Sequence, residues 1–158
     1  MKQLVAISLI LYSVACFSQS VKVLKIEDLE KRVKNNSDTT YIVNFWATWC
    51  APCVKELPVF DTIQTTLSSN KIKVVLVSMD FKENLEKKVI PFIQKKQVLS
   101  EVVLLDEING NYFIPRISPQ WSGALPGTWI LNSSKSVDRF FEKSVTVTFL
   151  KNEIQTIP

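Results

Sequence analysis

Histidine is absent from the 158-residue chain, and cysteine and glycine occur only three times each. Without histidine, three cysteines cannot supply the four ligands of a conventional structural zinc site. Three glycines are also too few for a glycine-rich phosphate-binding loop. Neither a metal nor an organic cofactor is therefore predicted.

Strong charge asymmetry is also missing, since the net charge is only +4 and basic and acidic residues are interspersed. No basic stripe with interleaved aromatic residues is present, so a nucleic-acid partner is not predicted. The composition, 46% hydrophobic and 22% charged, is typical of a folded domain. A chain of this length can form one domain with its own core.

The first twenty residues differ from the rest of the chain. Lys2 gives a positive start, Leu4–Ala15 is mostly apolar, and a small polar segment follows at Phe17–Ser20. This order resembles a secretory signal peptide. The apolar run is shorter than the roughly 20 residues that span a membrane. We therefore expect residues 1–20 to be a leader and residues 21–158 to form one exported, periplasmic domain.

Two alternatives to simple cleavage stay open for this leader. It could be retained as a membrane anchor, or it could be a lipoprotein signal, because residues 13–16 (SVAC) resemble a lipobox. In the second case the protein would be lipid-anchored through Cys16. Cleavage after Ser18 would instead leave a mature chain with two cysteines, Cys50 and Cys53.

Hydrophobic patterns along residues 21–158 predict strands and helices in alternation, closed by a hairpin and a last helix. The predicted strands are Val21–Ile26, Tyr41–Trp46, Ile72–Met79, Val102–Leu105, Trp129–Leu131 and Val137–Phe141. The first and last predicted helices are Asp28–Lys34 and Thr146–Ile154. A second helix follows the cysteines and is expected to kink at Pro58. A third covers Leu85–Ile93, where Pro91 either interrupts the helix or starts a new segment. Asn109–Ile117 is predicted to be irregular, with one or two helical turns before Pro115. The result is an α/β sandwich on a mixed sheet.

Cys50 and Cys53 stand three residues apart, directly after a buried strand and at the start of a helix. The N-terminus of a helix carries partial positive charge and unpaired amide donors, which favour thiolate over thiol. We predict that Cys50 is the exposed nucleophile and that Cys53, one turn deeper, resolves a mixed disulfide. Pro52 suits the first turn, where its missing N–H costs nothing.

Three other functions of this cysteine pair compete with redox exchange. A purely structural disulfide that closes a four-residue loop would stabilise the fold by only about 1.9 kcal/mol of chain entropy, whereas one that closes a 15-residue loop would contribute about 3 kcal/mol. A carrier that binds copper(I) through two thiolates stays open. So does a noncatalytic docking module that kept the fold and lost turnover.

Residues 44–53 (NFWATWCAPC) resemble the active-site segment of thioredoxins, and residues 54–58 (VKELP) are similar to the exported TlpA/ResA branch. The resemblance implies a thioredoxin-like fold, with a central mixed β-sheet flanked by helices. It also implies an inserted helix–strand segment before a cis-proline, which Pro126 matches. Leu125, before that proline, would then pair with an extended substrate segment.

The same resemblance suggests roles for neighbouring side chains. Thioredoxins carry a buried Asp where Asn44 stands, and the TlpA/ResA branch has a candidate proton shuttle at the position of Glu56. Glu56 could alternatively be a solvated surface carboxylate. Trp49, with Ala51 and Pro52, would border the substrate groove.

Trp121 is equally compatible with core packing and with substrate contact, whereas Trp46 and Trp129 are expected in the core. The implied function is dithiol–disulfide exchange with protein substrates outside the cytosol. Reduction is the favoured direction, for example in cytochrome c maturation, with a membrane electron donor and the protein acting as a monomer.

Overall fold

The computed structural model describes residues 20–67 and 71–158. The leader predicted for residues 1–20, including Cys16, lies outside the described residues except for Ser20. Within the described ranges, no helix has the length and apolar character needed to cross a membrane.

The described part of the chain forms six strands and five α-helices, which follow one another in the order predicted for an α/β fold. The strands are β1 (Lys22–Leu24), β2 (Thr40–Trp46), β3 (Ile72–Ser78), β4 (Glu101–Leu105), β5 (Gly127–Asn132) and β6 (Val137–Phe141). The helices are α1 (Ile26–Val33), α2 (Ala51–Leu67), α3 (Ile90–Lys96), α4 (Gly110–Ile117) and α5 (Val147–Gln155).

The sheet is mixed, as predicted, with the order β1-β4-β3-β2-β5-β6. Strands β1, β4, β3 and β2 run parallel to one another. Strand β5 pairs antiparallel with β2, and β6 pairs antiparallel with β5. All seven residues of β2 are buried, which matches its central place between β3 and β5.

Alternate residues of the central strands face two separate hydrophobic layers, because side chains alternate across a sheet. Trp46 packs in the layer that includes Phe60 of α2 and Leu150 of α5. Trp129 packs in the opposite layer, with Leu29 of α1. The two tryptophans expected in the core are thus both fully buried.

The connection between β3 and the cis-proline contains α3, β4 and α4. A π-helical turn at Leu85–Val89 leads into α3, and Pro91 lies in the first turn of α3. Pro91 therefore restarts the helix, since its missing N–H is harmless at that position. Pro58 lies inside α2, which continues to Leu67.

The helical turns expected before Pro115 are present, but the prediction that the rest of residues 109–117 is irregular is wrong, because α4 begins at Gly110 and continues through Pro115. Phe113 and Ile117 are buried in the layer shared with α1. Arg116 pairs with two glutamates of α1. Tertiary packing and these ion pairs outweigh the poor helix propensity of Gly and Pro.

Candidate active site

The redox pair lies where the central strand β2 leads into α2. Cys50 N–H donates to the Ala47 carbonyl at 3.1 Å, which forms a tight turn, and α2 begins at the next residue. Cys50 and Cys53 are joined in a disulfide with their Cα atoms 5.3 Å apart. The two bonded cysteines thus lie one helical turn apart in sequence, at the N-terminus of a 17-residue helix.

The two cysteines differ in accessibility. Cys50 is 6% exposed and borders a surface cleft, whereas Cys53 is fully buried. The Cys53 backbone N–H donates to Cys50 Sγ at 3.4 Å, so an amide dipole points at the outer sulfur. Ala51 and Pro52, between them, are exposed. This geometry supports an outer nucleophile and an inner resolving thiol, because only the outer sulfur borders open space.

A cleft of about 370 Å³ opens beside Cys50. The Leu125–Pro126 peptide bond at its edge is cis, and Pro126 is buried while Leu125 is half-buried. The other lining residues come from the cysteine loop, the end of β3, α4 and the segment before the cis bond: Trp49, Met79, Phe113, Ile114, Trp121, Gly123 and Ala124. Most of these are apolar, so the cleft suits an apolar side chain next to the disulfide under attack.

Aromatic packing fixes one wall of this cleft. The ring of Trp121 lies 4.8 Å from that of Phe45 and 5.2 Å from that of Phe140, centroid to centroid. Its indole N–H donates to the Ala124 carbonyl at 2.9 Å. Trp121 therefore both packs in the core and lines the cleft. Trp49, which also lines the cleft, is 69% exposed.

Glu56 is buried, at 4% exposure, so the alternative of a solvated surface carboxylate does not hold. The carboxylate accepts hydrogen bonds from Asn44 Nδ2 and from the Val145 backbone N–H, both at 2.9 Å. Burial raises the pKa of Glu56 above its ordinary value, and the two hydrogen bonds oppose that rise only in part. A buried carboxyl with a raised pKa can exchange protons closer to neutral pH.

Asn44 occupies the sheet position below the cysteine helix. Its Nδ2 also donates to the Gly127 carbonyl and to Thr128 Oγ1, both at 3.3 Å, whereas its buried Oδ1 has no hydrogen-bond partner. Turning the amide over would offer that oxygen to a protonated Glu56. That turn would exchange the hydrogen bond to the Gly127 carbonyl for one from the protonated carboxyl.

Asp80 is a site residue that sequence reasoning missed. Its side chain lies just past the end of β3 and accepts hydrogen bonds from both the backbone N–H and the hydroxyl of Thr48, in the loop that carries Cys50. Its position two residues after β3, which runs parallel to β2, was the available signal. Across residues 20–67 and 71–158, no group of three or more Cys, Asp or Glu side chains could hold a metal ion.

Comparison with known proteins links this geometry to one family model and to several relatives. The model described as Thioredoxin matches residues 20–93. A thioredoxin from Coprinus comatus is 32% identical over 76 residues, which cover 48% of this chain and 72% of that protein. The family match spans the cysteine motif and the strands around it.

Two relatives match over more of this chain. Sporulation thiol-disulfide oxidoreductase A of Bacillus subtilis (strain 168) is 28% identical over 121 residues, 75% of this chain and 67% of that protein. Thiol-disulfide oxidoreductase ResA of Geobacillus thermodenitrificans (strain NG80-2) is 22% identical over 135 residues, 84% of this chain and 71% of that protein. Among solved structures, a thioredoxin-related protein from Neisseria meningitidis serogroup B superimposes with a TM-score of 0.65 at 21% identity, covering 78% of this chain and 87% of that one.

Proposed function

Because the chain belongs to the thioredoxin family, in a TlpA/ResA-like branch, we propose that its Cys50–Cys53 pair reduces disulfides of protein substrates outside the cytosol. Thiol–disulfide exchange is the activity that this pair carries. The observation that supports the proposal most directly is the placement of the disulfide at the start of α2, beside an open apolar cleft.

The proposed cycle begins with the dithiol form. The Cys50 thiolate attacks one sulfur of a substrate disulfide, and the second substrate sulfur leaves as a thiolate. Cys53, once deprotonated, attacks Cys50 Sγ and displaces the first substrate sulfur. Two electrons pass to the substrate, the disulfide seen here is formed, and an external dithiol donor must reduce it again. A membrane-bound donor is proposed for this last step.

Glu56 is proposed to accept the proton of Cys53 during the second attack. It lies one helical turn beyond Cys53 on α2, is buried, and has a raised pKa. Asn44 supports both charge states through its donor and its unpartnered oxygen. The buried acid that thioredoxins place on the strand is thus replaced by a carboxyl on the helix.

Substrate docking is proposed along the cleft edge. The backbone of Leu125 would pair with an extended segment around the substrate disulfide, in the manner of strand addition. Trp49, Ala51 and Pro52 are exposed around Cys50 and would contact the same segment. Apocytochrome c, whose haem-attachment motif holds two cysteines, is one proposed substrate of this kind.

The location outside the cytosol is supported by the leader pattern of residues 1–20. We expect a mature chain that begins near Gln19 and acts as a periplasmic monomer. N-terminal sequencing and intact mass of the exported protein test this expectation. A diacylglyceryl group on Cys16 would instead establish a lipid-anchored form.

The deciding experiment traps the proposed intermediate. The full chain carrying Cys53→Ser should form a mixed disulfide through Cys50 with insulin, and with an oxidised peptide carrying a Cys-x-x-Cys-His motif. The matched Cys50→Ser variant should trap neither substrate. Wild-type protein should reduce both when dithiothreitol supplies electrons.

Three results would contradict parts of this proposal. Trapping by Cys50→Ser alone would reverse the roles of the two cysteines. Wild-type protein that lacks turnover with both substrates would favour a docking module. Stoichiometric copper(I) binding by the reduced pair, without turnover, would favour a metal carrier.

A further inference from the structure

A buried acid outside the proposed proton pathway lies next to the cysteine loop. Asp80 is 2% exposed. Its Oδ2 accepts from the Thr48 N–H at 2.9 Å and from Ser78 Oγ at 2.9 Å, and its Oδ1 accepts from Thr48 Oγ1 at 2.6 Å. All three hydrogen bonds go to the two oxygens of the carboxylate.

This negative charge is not neutralised by a nearby cation. In residues 20–67 and 71–158, no Lys or Arg side chain forms an ion pair with Asp80. Lys82, two residues away, lies 3.6 Å from Asp106. On α2, Lys55 is exposed to solvent, and the Glu56 carboxylate is hydrogen-bonded to Asn44 and Val145. The three groups that contact the Asp80 carboxylate are all neutral.

The charge is close to the nucleophile. The carboxylate lies 2.9 Å from the Thr48 nitrogen, and two residues of extended chain span at most about 7 Å. Asp80 is therefore within about 10 Å of the Cys50 backbone. The turn from Ala47 to Cys50 shortens that path further.

We propose that Asp80 is a positioning residue for the redox reaction, whose buried negative charge makes the Cys50–Cys53 pair more reducing. An anion near a thiol disfavours the thiolate and so raises the free energy of the reduced form. The disulfide is then favoured relative to the dithiol, and the reduced protein gives up its electrons more readily. The inference rests on the proposed function and supplies a physical reason for the proposed direction.

The Asp80→Asn substitution removes the negative charge but can keep the hydrogen bonds. An asparagine oxygen in place of Oδ2 can accept from the Thr48 N–H and from Ser78, while its amide donates to Thr48 Oγ1. The matched control is Asp61→Asn. Asp61 likewise accepts from a backbone N–H and the hydroxyl of one residue, Ser100, but it lies eight residues beyond Cys53 on α2, about 12 Å along the helix.

The test measures two properties of the full chain. The pH dependence of Cys50 alkylation, followed by peptide mass spectrometry, reports the thiol pKa. Equilibration with dithiothreitol buffers reports the redox equilibrium without a protein substrate. For Asp80→Asn we expect the thiol pKa to fall by about half to one unit. We also expect the dithiol to be favoured about threefold, which corresponds to about 15 mV.

Asp61→Asn should leave both values at those of the wild type. Wild-type values in a folded Asp80→Asn protein would overturn the inference, and so would equal shifts in both variants. If Asp80→Asn does not fold, Asp80→Ser removes the same charge and has the same expected results. Wild-type protein that fails to reduce insulin but shows the Asp80 shifts would contradict the proposed function alone.

Discussion

Replacing Glu56 by glutamine is predicted to slow dithiol–disulfide exchange by about 10- to 100-fold while leaving the fold intact. Glutamine keeps the shape of the side chain but cannot take up a proton. Its oxygen can still accept from the Val145 N–H. Its amide faces Asn44 Nδ2, so the Asn44 amide must turn over to offer Oδ1 and thereby gives up its hydrogen bond to the Gly127 carbonyl. The cost to stability should therefore be about 1–2 kcal/mol.

The variant should also change how stability depends on pH. Burial raises the pKa of Glu56 in the folded protein above its value in the unfolded chain. The native carboxyl therefore costs nothing below the unfolded pKa and progressively destabilises the fold as pH rises through the folded pKa. Each unit between the two pKa values amounts to about 1.4 kcal/mol. Glu56→Gln should thus gain stability relative to wild type as pH increases from 4 to 8.

Three measurements test this prediction: insulin turnover, the pH profile of cysteine alkylation, and urea unfolding at several pH values. Glu83→Gln is the matched control, because Glu83 is an exposed, solvated carboxylate in the 3₁₀ turn after β3. The control should behave as wild type in all three. Unchanged turnover together with an unchanged alkylation profile in Glu56→Gln would refute the proton role.

Other substitutions test the cleft and the core. Gly123→Ala should destabilise the fold by about 1 kcal/mol or more, because Gly123 has φ +92° and an added Cβ would lie 2.9 Å from Ile114 Cδ1; urea unfolding measures this. Trp49→Ala should change stability by less than about 0.5 kcal/mol, since the ring is exposed, yet raise KM for insulin without slowing reduction by dithiothreitol. Phe60→Ala should cost about 3–5 kcal/mol, because this ring is fully buried between helix and sheet; a thermal midpoint equal to wild type would refute this.

Much of the fold follows from local pattern. The apolar runs of β2 and β3 predicted central strands, and the placement of Cys50 between a strand and a helix predicted its role at a helix start. The helix α4 could not be predicted in this way, because Gly110 and Pro115 are poor helix formers. Its stability comes from ion pairs and burial that join it to α1, far away in sequence.

The candidate site likewise combines features that follow from the local sequence with features that depend on residues far away along the chain. The spacing of Glu56 from Cys53 follows from the sequence, but its burial depends on Val145, 89 residues further along the chain. Asp80 was missed for a similar reason, since its partner Thr48 is 32 residues earlier. Only the parallel pairing of β2 and β3 brings the two together.

The central place of β2 determines which wall of the cleft can move. Amide protons in β2, which pairs with β3 and β5, should exchange with deuterium only when the whole sheet unfolds. On the opposite wall, Trp121 is held by aromatic packing, but the irregular segment at residues 122–124, between α4 and the cis bond, is not buried. Its amides should exchange through local opening, at a lower free energy. Adaptation to differently shaped substrates would therefore come from that wall, while the sulfur atoms keep a constant position.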